Sequence, residues 1–174
     1  MSDALGPIGD DDRLHRSATD ADRPIRIGLI DDDVVDRLQV RRLIAADPGL
    51  DLVAESALAS EAEIVAGQVD LLILDHLLPD GDGLGVLGRL RGMGRTLPVL
   101  ALTGTRDDQV AAALIKGGAD DYLAKDQLSG ERLCHSIRTT VQAWRDRQAS
   151  ERANHALTDL AALAEVSDEI CLPA

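Results

Sequence analysis

Five short apolar runs alternate with amphipathic segments along this chain, and this alternation constrains the fold more than any other feature. The runs lie at 25–30, 50–55, 70–75, 97–102 and 120–124, and apolar residues recur at helical spacing at 34–46, 59–67, 84–92, 107–117 and from 128 onward. Strands that are apolar on both faces are typical of a parallel sheet covered by helices on both sides. Right-handed crossovers leave few topologies for such a chain. We therefore predict an α/β fold with a doubly wound five-stranded parallel sheet.

The charge of the chain bears on its partners. A net charge of −13 and a pI near 4.5 argue against direct binding to nucleic acid or to an anionic membrane, because both need clustered Lys and Arg. No apolar stretch approaches the roughly 18 residues that a membrane span needs. Two cysteines without metal-ligand spacing fit a reducing compartment. We expect a cytoplasmic protein with no direct nucleic-acid or membrane partner.

Polar side chains follow four of the five predicted strands. Asp31–Asp33 come after the first strand, Asp75 after the third, Thr103 after the fourth and Lys125 after the fifth. In a doubly wound sheet, functional groups collect beyond the carboxyl ends of the strands. Carboxylates that converge there need a cation, and hard oxygen ligands suit Mg²⁺. One aspartate could then attack phosphorus and become an acyl phosphate, with Lys125 and Thr103 as cation and hydroxyl donor for the transferred oxygens.

Each of these residues also has a simpler interpretation. The acidic triplet could be a helix N-terminal cluster favoured by the helix dipole. Asp75 could cap a loop, Lys125 could be a solvated surface residue, and Thr103 alone says almost nothing. Their joint occurrence at successive strand ends favours the functional interpretation.

Four motifs surround these residues: "LIDDD", "DLLILDHLLPDGDGLGVL", "PVLALTG" and "GADDYLAKD". With them the chain from about Ile25 to about Trp144 resembles a receiver domain of the two-component response regulator family. The resemblance implies a flavodoxin-like, chemotaxis-regulator-like fold with strand order 2-1-3-4-5. It also implies a signalling switch rather than an enzyme with outside substrates, one that loses its own phosphoryl group slowly at most.

The resemblance also assigns roles to the residues. Asp75 would accept a phosphoryl group from a sensor histidine kinase or a phosphotransfer protein. Asp31 and Asp32 would hold Mg²⁺ together with Asp75 and the backbone carbonyl of Leu77. The acidic pair is placed on Asp31 and Asp32, rather than one position later, because the family's spacing to an arginine in the first helix then falls on Arg37.

The expected switch involves Thr103, Lys125 and Tyr122. Lys125 would pair with the phosphoryl group, and Thr103 would turn its hydroxyl toward it. The ring of Tyr122, at the family's aromatic position, would then rotate inward and remodel the surface of the fourth helix, fifth strand and fifth helix. The alternative for Tyr122 is an ordinary strand-edge tyrosine. Adding about two negative charges supplies the physical drive for the switch.

The chain departs from the family pattern at two places. Lys125 is followed by Asp126, where many receivers have proline. His76 directly follows the predicted phosphoacceptor, but strand alternation predicts that its side chain points away from Asp75. Leu77 and Thr105 occupy positions that tune phosphoryl-group lifetime in the family.

The expected division of the chain is a flexible acidic arm at 1–24, a receiver domain at 25–148 and a helical C-terminal extension at 149–174. In the extension, a polar stretch precedes a short helix with Leu157, Leu160 and Leu163 on one stripe. That helix could be a loosely attached end of the chain, or a dimerisation or docking element. We predict a homodimer built on the fifth helix and this extension. The alternatives for the whole chain are a phosphorylation-independent interaction module, or the receiver fragment of a longer regulator. A metal-dependent phosphohydrolase is a more distant third.

Overall fold

A five-stranded parallel sheet forms the centre of the molecule. The computed structural model describes residues 23–104 and 108–168, with side chains described as far as residue 163. The strands are β1 (Ile25–Ile30), β2 (Leu50–Ser56), β3 (Leu71–Asp75), β4 (Val99–Thr103) and β5 (Asp121–Ala124). They pair in the order β2-β1-β3-β4-β5, each parallel to its neighbours. The predicted fold class and strand order are confirmed.

Helices cover both faces of this sheet. They are α1 (Val34–Ala45), α2 (Ala62–Ala66), α3 (Gly83–Gly92), α4 (Asp108–Lys116) and α5 (Gly130–Asp168), with short 3₁₀ turns at Ala59–Glu61 and Lys125–Gln127. α1 and α5 pack on one face, whereas α2, α3 and α4 pack on the other. The site described below lies where the strands end and α1 begins.

The central strand β3 shows why the apolar runs are continuous rather than alternating. Leu71 and Ile73 belong to the core shared with α1 and α5, while Leu72 and Leu74 belong to the core shared with α2, α3 and α4. Every residue of β3 is buried. Because successive side chains on a strand point to opposite faces, a strand covered on both sides has to be apolar throughout.

Gly28 lets α2 approach the sheet closely. A Cβ atom at this position of β1 would lie 2.5 Å from Cγ1 of Val65, closer than real Cβ atoms come to a neighbour. Any side chain there would therefore push α2 away from the sheet.

Two features of the structure were not predicted. A two-stranded antiparallel hairpin, Leu77–Leu78 with Gly81–Asp82, follows β3 directly. The polar stretch at 145–155 does not separate two helices, because α5 runs without interruption from Gly130 to Asp168. Ala, Arg, Glu and Gln are good helix formers and the stretch contains neither Gly nor Pro, so nothing in it ends the helix.

The last anchors that hold α5 to the sheet lie near Arg147. Trp144 Nε1 donates a hydrogen bond to the Thr96 carbonyl, and Arg147 forms an ion pair with Asp120. Every described side chain from residue 149 to 163 is exposed. Within the described residues, no helix has the length and apolarity that crossing a bilayer requires.

Candidate functional site

The strand ends bring three aspartates together. Asp31 follows β1 directly, Asp32 is the next residue, and Asp75 is the last residue of β3. Each can offer one carboxylate oxygen to a common point, and these oxygens lie within 4.8 Å of one another. Asp31 and Asp75 are buried, whereas Asp32 is exposed and opens the cluster to solvent. Parallel strands that end at the same edge of the sheet produce this convergence.

Asp31 carries a carboxylate oxygen that suits a bound cation. Its Oδ1 accepts a hydrogen bond of 2.9 Å from the Asp33 amide, and its Oδ2 lies 2.8 Å from Lys125 Nζ. That Oδ2 is buried and, within the described part of the chain, has no donor in good hydrogen-bond geometry, so the lysine contact is ionic. Burial raises the pKa of Asp31 above its usual value, although Lys125 and the Asp33 amide oppose this. A divalent ion would compensate the poorly solvated charge.

Asp33 has a structural role that differs from the roles of Asp31 and Asp32. It is the N-cap of α1, and its side chain accepts hydrogen bonds from the backbone amides of Val35 and Asp36. It is not one of the three aspartates that share a point. The helix-dipole interpretation therefore fits Asp33, while Asp31 and Asp32 face the cluster.

Lys125 lies at the centre of the acidic group. Its Nζ is 2.7 Å from Oδ2 of Asp75, 2.7 Å from Oδ2 of Asp36 and 2.8 Å from Oδ2 of Asp31. Burial disfavours the charged ammonium, but the close contacts with the three carboxylates outweigh it, so the pKa of Lys125 is raised and the side chain stays protonated. The chain turns into a 3₁₀ turn at this residue, which directs the side chain over the strand ends.

Sequence reasoning missed Asp36. It lies in the first turn of α1 and belongs to no strand end. The available signal was its distance of one helical turn from the acidic triplet, because first-turn residues lie close to the strand that precedes the helix. Arg37, the next residue, donates a hydrogen bond of 2.6 Å from Nη1 to the Asp31 carbonyl and so fixes the start of α1 against the end of β1.

The expected orientation of His76 is wrong. Its Nδ1 lies 3.4 Å from Oδ1 of Asp75, so the two side chains meet rather than pointing apart. Strand alternation does not apply because β3 ends at Asp75 and the chain bends at His76. Among the described residues, His76 Nδ1 has no hydrogen-bond partner. The Leu77 amide approaches the same Oδ1 at 3.4 Å.

The predicted switch residues differ in exposure. Thr103 ends β4 and is buried, in register with Ala124 of β5. Tyr122, on β5, has 43% of its surface exposed, and it borders a shallow apolar groove with Ala111, Ala112 and Ile115 of α4. The tyrosine therefore faces solvent in this structure. Thr105 lies outside the described residues.

Comparison with known proteins shows which family this chain resembles. The family model described as the response regulator receiver domain matches residues 27–138. The chain is 33% identical over 138 residues to the nitrate/nitrite response regulator protein NarP of Escherichia coli, covering 78% of this chain and 63% of that protein. It is 31% identical over 148 residues to the DNA-binding transcriptional activator DevR/DosR of Mycobacterium tuberculosis, covering 84% of this chain and 67% of that protein.

A solved structure shares the fold. The two-component response regulator of the LuxR family from Aurantimonas sp. superposes with a TM-score of 0.64 at 26% identity, covering 75% of this chain and 99% of that one. The chain spans less than two-thirds of the length of the E. coli relative. The residues that the family model matches, 27–138, include the acidic cluster and most of the sheet. The chain therefore belongs to the response regulator receiver domain family.

Proposed function

We propose that Asp75 accepts a phosphoryl group from a phosphohistidine of a sensor histidine kinase or phosphotransfer protein. A carboxylate oxygen of Asp75 attacks phosphorus, the phosphorus–nitrogen bond breaks, and the imidazole leaves with the electron pair of that bond. The observation that carries the proposal is the position of Asp75: its buried carboxylate faces both the acidic pair and the Lys125 ammonium. An ordinary loop-capping aspartate would have neither neighbour.

Mg²⁺ is the cofactor that suits this donor set. Asp31, Asp32 and Asp75 supply hard carboxylate oxygens, and we propose the backbone carbonyl of Leu77 as a further ligand. The buried Oδ2 of Asp31 supports the proposal, because it lacks a well-aligned donor. When bound, the ion would neutralise charge between the acidic residues and the incoming phosphoryl oxygens. Lys125, held beside Asp75, would neutralise a further phosphoryl oxygen.

The signal would leave the site through Thr103 and Tyr122. Thr103 ends the strand next to β3, so its hydroxyl can turn toward a phosphoryl group on Asp75. We propose that the exposed ring of Tyr122 then moves inward and changes the surface formed by α4, β5 and α5. The apolar groove beside the ring supports this proposal, since it gives the fourth helix a surface that the ring can cover or uncover.

The proposal is tested by incubating the chain with acetyl phosphate and measuring its intact mass with Mg²⁺ and with excess chelator. We expect the added mass of a single phosphoryl group with Mg²⁺ and almost none with chelator. Equal incorporation in both samples would contradict the metal-assisted site.

Asp32→Ala is expected to weaken the binding of Mg²⁺ at the site. The side chain is an exposed member of the three-aspartate cluster, so its loss takes away a direct ligand without opening a core cavity. We expect Mg²⁺ affinity to fall by about 10- to 100-fold, measured by titration of the phosphorylation rate. Asp51→Asn, an exposed aspartate on β2, is the control. Unchanged Mg²⁺ affinity in Asp32→Ala would show that this ligand assignment is wrong.

A second proposal concerns the C-terminal extension, which we place at 149–174, after a receiver at 25–148 and an arm at 1–24. Leu157 and Leu160 are 65% and 63% exposed on the part of α5 that leaves the sheet. A helix without tertiary contacts is marginal in water, so an apolar stripe on it favours association. Symmetric dimers are the commonest closed assembly. We propose a homodimer through this stripe, formed with or without phosphorylation.

Leu160→Glu is expected to shift the chain from dimer to monomer, because it places a charge in the apolar stripe. Thr158→Glu, on another side of the same helix, is the matched control and should leave the mass unchanged. Light scattering at tens of micromolar, also on a chain ending at Gln148, measures the mass directly. If the full chain is a monomer both with and without phosphorylation, the dimer proposal fails.

A further inference from the structure

The ion pair between Asp36 and Lys125 connects α1 to the site, and neither the family resemblance nor the metal cluster assigns a role to Asp36. We propose that Asp36 is a positioning residue for Lys125 that also restricts phosphorylation by small anionic donors. This inference rests on the proposed function, since it concerns how fast Asp75 is phosphorylated and by what kind of donor.

The geometry shows how Asp36 positions the lysine. The Lys125 ammonium donates hydrogen bonds to Asp36 and Asp75 and forms an ion pair with Asp31, so three carboxylates surround it. The lysine side chain is 16% exposed, so little water can take the place of a missing partner. To contact a phosphoryl oxygen on Asp75, the ammonium has to give up at least one of these partners.

Asp36 is the partner that can be exchanged. Asp31 and Asp75 belong to the cluster that fits a cation, whereas Asp36 lies outside it. Asp36 is also the most exposed of the three, with 29% of its side chain accessible compared with 0% for Asp31 and 6% for Asp75. In the unphosphorylated protein Asp36 therefore holds Lys125 toward α1, and a phosphoryl group has to compete with it.

The net charge of the site explains how Asp36 would restrict phosphorylation by small anionic donors. Four carboxylates, those of Asp31, Asp32, Asp36 and Asp75, share the site with the ammonium of Lys125. A bound divalent cation leaves one excess negative charge, which is the charge that Asp36 adds. A small donor such as acetyl phosphate is itself an anion, and Asp36 repels it at the entrance to the site. A phosphohistidine presented by a docked protein draws its binding energy from a larger surface and depends less on this charge.

Asp36 is not the residue that caps α1, although its charge lies in the first turn of that helix. Asp33 supplies the N-cap, and the Asp36 side chain points to Lys125 rather than to the backbone of the helix. Asp36→Asn therefore leaves the cap in place and removes one charge with almost no change of shape.

The experiment measures the phosphorylation rate of Asp36→Asn against acetyl phosphate concentration at saturating Mg²⁺. We expect the rate at limiting donor to rise by about 5- to 10-fold, mainly through a lower half-saturation concentration. Added salt should narrow the difference from wild type, because it screens the repulsion. Asp36→Glu should return the rate toward wild type, and Asp51→Asn, which changes the net charge equally outside the site, should leave it unchanged.

The outcomes separate this inference from the proposed function. If wild type is phosphorylated and Asp36→Asn is equally fast or slower, the role of Asp36 is refuted while the function of Asp75 stands. If wild type is not phosphorylated, the proposed function fails and the inference fails with it. If Asp36→Asn does not fold, the test is the phosphorylation rate of wild type with acetyl phosphate at increasing ionic strength. We expect this rate to rise, and a rate that falls would refute the proposed repulsion of the donor.

Discussion

Asp75→Asn is expected to abolish phosphorylation, lowering the incorporation of phosphoryl groups from acetyl phosphate by about 100-fold or more. Asn has nearly the same shape as Asp and fits the buried position at the end of β3, but its amide cannot form the acyl phosphate. Intact mass spectrometry after incubation with donor and Mg²⁺ measures the effect. No other carboxylate of the cluster is expected to take over.

The control for this result is Asp51→Asn, which makes the same chemical change at an exposed position of β2. It should be phosphorylated like wild type. Incorporation in Asp75→Asn at the full wild-type yield would contradict the assignment of the phosphoacceptor.

Lys125→Met is expected to destabilise the protein in the absence of Mg²⁺ by about 1–3 kcal/mol. Methionine keeps most of the apolar stem but removes the ammonium, so Asp31, Asp36 and Asp75 face one another without the cation that the structure places among them. The expected loss is below that for a fully buried pair, because Asp36 is partly exposed. Mg²⁺ should restore part of the stability by neutralising Asp31 and Asp75.

Urea unfolding with and without Mg²⁺ measures this prediction. Lys116→Met, at the exposed end of α4, is the matched control and should change stability by less than about 0.5 kcal/mol. If Lys125→Met unfolds at the same urea concentration as wild type without Mg²⁺, the ion pairs of Lys125 do not stabilise the fold.

The sheet could be predicted from the sequence because its central strands are buried on both faces, and a strand of that kind appears in the sequence as a short apolar run. β3 is the clearest case, since all of Leu71–Asp75 is buried and its first four residues form an uninterrupted apolar run. The length of α5 was harder to predict, because residues beyond 149 have no core contacts to impose a periodicity. The hairpin at Leu77–Leu78 has only two residues per strand, too few for a pattern.

Some residues of the site could be predicted from the sequence and others could not. Asp31, Asp75 and Lys125 follow strands, and the carboxyl ends of parallel strands meet at one edge, so their convergence could be predicted. Asp36 could not be placed, because its contact with Lys125 depends on the angle at which α1 leaves the sheet. The orientation of His76 was predicted wrongly for a related reason: the alternation rule holds only inside a strand, and β3 ends one residue earlier.

The position of the phosphoryl group is the most direct test of the central claim. Wild-type protein is phosphorylated with acetyl phosphate and Mg²⁺, the acyl phosphate is reduced with borohydride, and the modified residue is identified by peptide mass spectrometry. We expect the label on Asp75 and on none of Asp31, Asp32 and Asp36. A label on any of those three, or a phosphoryl group carried by His76, would contradict the account of the site.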